Sequence, residues 1–324
     1  MPQRTTTADH AEVSATTRRN IMMKREDAMK VAEHKLQELA QALEQGRSQV
    51  LEDYLSAVAR LHKYSFRNLM LIASQCPEAV HVAGFHTWRS MDRTVKKGES
   101  GIAILAPLIR RASKEDRPAG NTGARADAQE TKRDDTSDPM GYRVVYVFDI
   151  SQTEGKDFSP VTPIANSEAH ALRELEGVYE QMGITLETRT LGWGTDGVSQ
   201  IGRVLIQEGL SEAARFSVLA HELSHELLHS EQDRRSRQLS KRQMEVEAEA
   251  VAFVICTAHG IDSRDQSRDY IHLYQGDTKL LLKSMNRIQQ TAAKILDLME
   301  EPRRAEKQTS YTIDGNTKAL AIAA

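Results

Sequence analysis

The segment FSVLAHELSHELLH, residues 216–229, constrains this chain more than any other stretch of its 324 residues. Phe216, Leu219, Ala220, Leu223 and Leu227 recur at helical spacing, which predicts a helix that buries this face. His221 and His225 are four apart. They project from one side about a turn apart, so both imidazoles can reach a single cation. Glu222 is rotated by about 100° from His221. Its carboxylate then lies beside the open coordination position and can act as general base toward a metal-activated water. His229 sits about 12 Å from His221 along a straight helix axis, too far to join the same ion. It is expected as a cap, or as a group behind the ligands.

A site that keeps one position open needs a third protein ligand. The segment MEVEAEAVAFVIC, residues 244–256, predicts a further helix over about 242–259. Glu245 and Glu249 share one face of it, Met244, Ala248, Val251 and Ile255 form a buried side, and Glu247 points elsewhere. Glu245 is the expected third ligand. Glu249 is expected to accept the second ring N–H of a ligating histidine, although the two roles could be exchanged. One Zn2+ per chain is the natural occupant, without excluding manganese or iron.

The surrounding pattern predicts an α+β chain of two domains, 23–155 and 164–300. Residues 1–22 are polar and Thr-rich, and are expected as a disordered arm. Helices are predicted over 29–43, 50–62 and 65–74. HVAGFHTW, GIAILAPLI and GYRVVYVFDI then read as strands of a small antiparallel sheet. The last two form a hairpin-like pair around residues 112–139, a charged insertion expected to be disordered because it has too little apolar surface to offset its ordering entropy. A linker with Pro160 and Pro163 leads to a helix over 168–182 and two strands, ITLETR and IGRVLIQ. The second, Gly202–Gln207, is expected as an edge strand beside the metal-bearing cleft. The final helix is predicted over 278–300, with a disordered tail over 301–324.

Cys76 and Cys256 lie far apart in apolar contexts and read as reduced, buried thiols. The N-terminus lacks the apolar core of a secretory signal, and no run reaches the roughly 18 apolar residues of a membrane span. A soluble, cytoplasmic protein is expected.

Two blocks together carry a family resemblance. YSFRNLMLIASQCPEAVHVAGFHTWRSMDRTVKKGESGIAILAPL with YRVVYVFDISQTEG resembles the N-terminal domain of the ArdC antirestriction family. LAHELSHELLH with EVEAEAVAFVICTAHGID resembles the zincin-like domain of that family and of the ImmA/IrrE metallopeptidases. The resemblance implies a single-stranded-DNA-binding domain fused to a metallopeptidase-like domain, found on plasmids and other mobile elements, that protects incoming DNA from host restriction. By position it carries the two metal histidines onto His221 and His225, the general base onto Glu222 and the acidic ligand onto Glu245. Tyr270 matches as a candidate for polarising a scissile carbonyl. The segment around it, DYIHLYQGD, departs from the Gly- and Trp-bearing version of relatives.

A net charge of −3 does not announce a nucleic-acid binder, so any such role needs a local patch. Aromatics and cations interleave between Tyr64 and Arg111, and the candidates for single-stranded DNA are Trp88, Arg89, Arg93, Lys96 and Lys97. Two other readings share these features: an ImmA-like protease that cuts a repressor, and a DNA-coating protein whose zinc is structural. The protein substrate is unspecified.

Overall fold

The computed structural model describes residues 23–108, 141–157, 168–229, 239–262 and 277–321, with residues 301–321 described by their backbone alone. The arm 1–22, the insertion 112–139, Pro160, Pro163 and Tyr270 lie outside the described residues.

Three helices open the chain: α1 (Arg25–Glu44), α2 (Gln49–Leu61) and α3 (Phe66–Gln75). Strand β1 (Val82–Gly84) is followed by α4 (Phe85–Ser90), so the expected strand HVAGFHTW breaks at Gly84 and turns helical. Next come β2 (Arg93–Val95), β3 (Ile102–Pro107), β4 (Tyr142–Asp149), a 3-10 turn over Ile150–Gln152 and β5 (Thr153–Gly155). The first sheet has the order β1–β4–β3, antiparallel throughout, with β3 and β4 paired as expected. β2 and β5 form a small second ladder.

The free edge of β3 is closed by side chains of α3. The Asn68 amide donates to the Leu105 carbonyl and accepts from the Leu105 N–H, each at 2.9 Å, and Gln75 does the same with Ala103. Two side-chain amides thus stand in for a neighbouring strand, which removes an edge open to unwanted pairing.

The second half contains α5 (Glu168–Gln181), β6 (Thr185–Arg189), β7 (Gly197–Gln200), β8 (Arg203–Gln207), α6 (Glu212–Leu228), α7 (Lys241–Ala258) and α8 (Thr278–Ala321). The sheet order is β6–β8–β7, with β6 parallel and β7 antiparallel to β8. The expectation of an edge strand at Gly202–Gln207 is therefore corrected. β8 buries Val204 and Ile206 and is paired on both sides, and the edge beside α6 is β7. β7 escaped the sequence reading because GVSQ is short and has no alternating apolar pattern.

Helix starts follow their local signals. The Ser211 hydroxyl accepts from the Ala214 amide at the head of α6, and Ser240 with Gln243 forms a capping box at the head of α7. α8 continues beyond the predicted stop at Glu300, its backbone remaining helical through Pro302 to Ala321. Proline removes one amide hydrogen bond, and the flanking Glu, Arg, Ala, Lys and Gln are strong helix formers that sustain the helix around that gap.

The two predicted domains share one core. Leu51, Leu55 and Val58 of α2, Ala250, Val251 and Val254 of α7, and Leu281, Met285 and Ile288 of α8 belong to one buried cluster. α7 packs on α2, α6 and α8, and its run AVAFVIC is buried on all sides, as an apolar stretch without a polar face must be. The Gln289 amide also donates to the His62 carbonyl at the end of α2. Cys76 is half-buried, Cys256 is buried, and neither forms a disulfide. Among the described residues, no helix is long and apolar enough to cross a membrane.

Candidate metal centre

Packing α6 against α7 brings His221, His225 and Glu245 together. The two Nε2 atoms are 3.0 Å apart, and Glu245 Oε2 lies 3.5 Å from that of His221 and 3.3 Å from that of His225. Bonds of about 2.0–2.1 Å to a tetrahedral zinc would hold donor atoms roughly 3.3–3.4 Å apart. The three observed separations bracket that value. Two imidazoles and a carboxylate, converging with one side open, suit a divalent cation.

The ring orientations agree. His221 Nδ1 lies 2.9 Å from Glu249 Oε2. A carboxylate only accepts, so Nδ1 carries a proton toward Glu249, which leaves Nε2 as the nitrogen that would meet a cation beside His225 and Glu245. Glu249 thus lies behind His221 while Glu245 faces the two Nε2 atoms. Glu247 points away from that face, as its spacing implies. Its side chain is buried and pairs with His229 and Arg287. A helical wheel puts Glu247 opposite Glu245, and that side of α7 is also covered. The all-apolar run that follows was the available signal.

The charges respond to this crowding. Burial pulls the His221 imidazole down, but the Glu245 and Glu249 carboxylates outweigh it and carry it up to about 9. The His221 and His225 imidazoles beside it hold Glu245 well below the usual carboxylate range, against some desolvation. Burial pushes Glu222 up, opposed by the two histidines and by a hydrogen bond from the Ser199 backbone.

Glu222 faces β7. A Cβ built on Gly197 would lie 2.6 Å from Val218 Cγ1 and 2.7 Å from Glu222 Oε1, so glycine permits this close approach of strand to helix. One turn on, Glu226 accepts from the Ser199 hydroxyl and, at 3.0 Å, from the Gly202 amide, which ties the β7–β8 turn to α6. Gly197, Ser199 and Glu226 carried no sequence motif. Only the packing of strand on helix reveals them.

The candidate DNA residues divide. Trp88 is 0% exposed and its indole N–H donates to the Phe148 carbonyl at 2.9 Å. It is core, and its assignment as a base-stacking residue is corrected: the turn of α4 aims it inward. The Arg93 guanidinium is spent on Thr153 and Lys156, fastening β2 to β5. Lys96 Nζ donates to the Ser151 carbonyl at an exposed position, and Arg89 and Lys97 are exposed. Phe85, one turn before Arg89 on α4, is 43% exposed.

Residues 29–148 match the N-terminal domain of anti-restriction factor ArdC, and residues 179–280 match the IrrE N-terminal-like domain of peptidase family M78. The two matches fall in succession, an ArdC-type domain before an M78-type domain. An uncharacterized protein of Bacillus anthracis is 25% identical over 276 residues, covering 75% of this chain and 46% of that protein. The chain thus spans about half the length of this relative. The metal-free crystal structure of antirestriction protein ArdC from plasmid R388 aligns over 84% of this chain and 97% of its own, at 18% identity and a TM-score of 0.48. The Mn(II)-bound form gives 16% and 0.46 over the same shares. The chain thus carries an ArdC-type N-terminal domain followed by an IrrE-like domain, in this order.

Proposed function

We propose that this protein is an antirestriction factor with a DNA-binding N-terminal part and a zinc metallopeptidase-type centre, in which His221, His225 and Glu245 hold one Zn2+ and Glu222 is the general base. The observation that carries this reading is the trio of donor separations at 3.0, 3.3 and 3.5 Å with Glu222 adjacent in sequence to the first ligand. When bound, zinc would supply Lewis-acid polarisation of a peptide carbonyl and of the attacking water.

The chain's own groups do the rest. Glu249 orients His221 through its Nδ1–H. Glu222, its proton affinity raised by burial, takes the water proton on its carboxylate and passes it to the leaving amine. An extended substrate would run along the outer edge of β7, which Glu226 anchors at its turn. Tyr270 remains a candidate for steadying the carbonyl oxygen.

The match to an anti-restriction domain supports a DNA partner, and the resemblance to ArdC favours single strands. Phe85 and Arg89 on α4, with Lys96 and Lys97 beyond β2, offer one aromatic face and three cations.

Glu222→Gln tests the centre. It should retain zinc by metal analysis and lose hydrolysis by about 10²–10⁴-fold. If antirestriction activity survives with zinc retained, hydrolysis is not the mechanism and the DNA-coating reading with a structural metal replaces it. Gel shifts with single- and double-stranded DNA test the other half: Lys96 and Lys97 changed together to Ala should weaken single-strand binding and flatten its salt dependence.

A further inference from the structure

Behind His225, on the side away from Glu245, lies a second set of polar groups. His229 caps α6 and its side chain is 0% exposed. Its Nδ1 is 3.2 Å from His225 Nδ1, and its Nε2 is 3.1 Å from Glu247 Oε2. Glu247 has a side chain only 2% exposed, and Arg287 of α8 approaches its other oxygen at 3.9 Å. Polar groups this deep need a purpose or a complete set of partners, because desolvation is costly.

With both imidazoles neutral, the proton positions along this line are fixed. The Glu247 carboxylate accepts, so His229 carries its proton on Nε2. Arg287 lies beside the other Glu247 oxygen, and a neutral His229 then presents a lone pair on Nδ1. That lone pair accepts from His225, which must then be protonated on Nδ1. The free lone pair of His225 therefore sits on Nε2, the atom 3.0 Å from His221 Nε2 and 3.3 Å from Glu245.

We propose that Glu247 and His229 are positioning residues that set the tautomer of His225 and thereby prepare its Nε2 to bind the metal. This rests on the metal-site reading above, and it assigns the two ligand histidines different supports. His221 leans directly on a carboxylate of α7, whereas His225 reaches a carboxylate of the same helix through an intervening imidazole.

The test uses the whole protein and two readouts. Nitrogen-15 NMR of the histidine rings, without metal, should find the His225 proton on Nδ1. His229→Phe removes the acceptor and should give mixed tautomers at His225 while leaving His221 unchanged. Zinc affinity, measured by competition with a chelator, should fall by about 10–100-fold in His229→Phe and in the isosteric Glu247→Gln. A purely structural role would lower the melting temperature without moving the tautomer. A wild-type His225 protonated on Nε2 overturns the proposal, as does wild-type zinc affinity in both variants. If His229→Phe does not fold, the wild-type tautomer and Glu247→Gln decide the matter. A wild type that binds no zinc but holds His225 protonated on Nδ1 refutes the metal reading alone.

Discussion

Gly197→Ala is the sharpest perturbation of the centre that leaves every proposed ligand in place. The added methyl would fall 2.6 Å from Val218 Cγ1 and 2.9 Å from Glu222 Cγ. Ordinary carbon contacts lie at about 3.5–4.0 Å, so the shortfall is roughly 1 Å and falls on the Val218 and Glu222 side chains. Val218 and Glu222 are one turn apart on α6, and the strand is tied to β8 behind it. Either β7 retreats from the helix or Glu222 swings away. Overpacking of this kind costs about 1–3 kcal/mol, which in a chain of this size lowers the melting temperature by about 2–4 °C for each kcal/mol. A displacement of the general base by about 1 Å costs on the order of 100-fold in rate. His221, His225 and Glu245 are not among the clashing atoms, so zinc affinity should hold. Thermal unfolding with and without zinc, together with a hydrolysis assay, reads all three quantities. A variant with wild-type melting temperature and wild-type turnover would refute the claim that glycine at 197 sets the approach of β7 to Glu222.

Chelation of zinc should destabilise the protein, since a ligand at 100 times its Kd contributes about 2.7 kcal/mol; the melting temperature should fall with a chelator and recover on adding zinc. Burial works against the Asp149 carboxylate, but hydrogen bonds from Ser151, Val80 and His81 hold it below its ordinary value. Its stabilisation is thus present above the unfolded value and is lost as pH falls through the folded one. Asp149→Asn should lower stability at neutral pH and flatten the loss seen by denaturant unfolding below about pH 4. Trp88→Ala should cost about 3–5 kcal/mol of stability, whereas changing the fully exposed Trp193 to Ala should leave the melting temperature unaltered.

Much of the centre was legible without a fold. An i, i+4 histidine pair with an intervening glutamate is a statement about one helix, and helical geometry is local, so His221, Glu222 and His225 needed only the apolar stripe that predicts the helix. The division between Glu245 and Glu249 was half-legible. Their shared face follows from spacing, but which one meets the donors depends on how far α7 slides along α6. The β3–β4 hairpin was readable from two β-branched runs, while the strand character of β7 was not, because its four residues owe it to a partner.

The amino-acid order alone determined most of the helices and the chemistry that α6 can carry, since these depend on contacts within a turn or two of chain. Tertiary packing decided the rest. It turned Trp88 into core, made β8 a central strand, buried Glu247 behind His229 and merged two sequence units into one apolar interior. Burial and edge position are relations between distant segments, and no local periodicity encodes which neighbour will cover a given face.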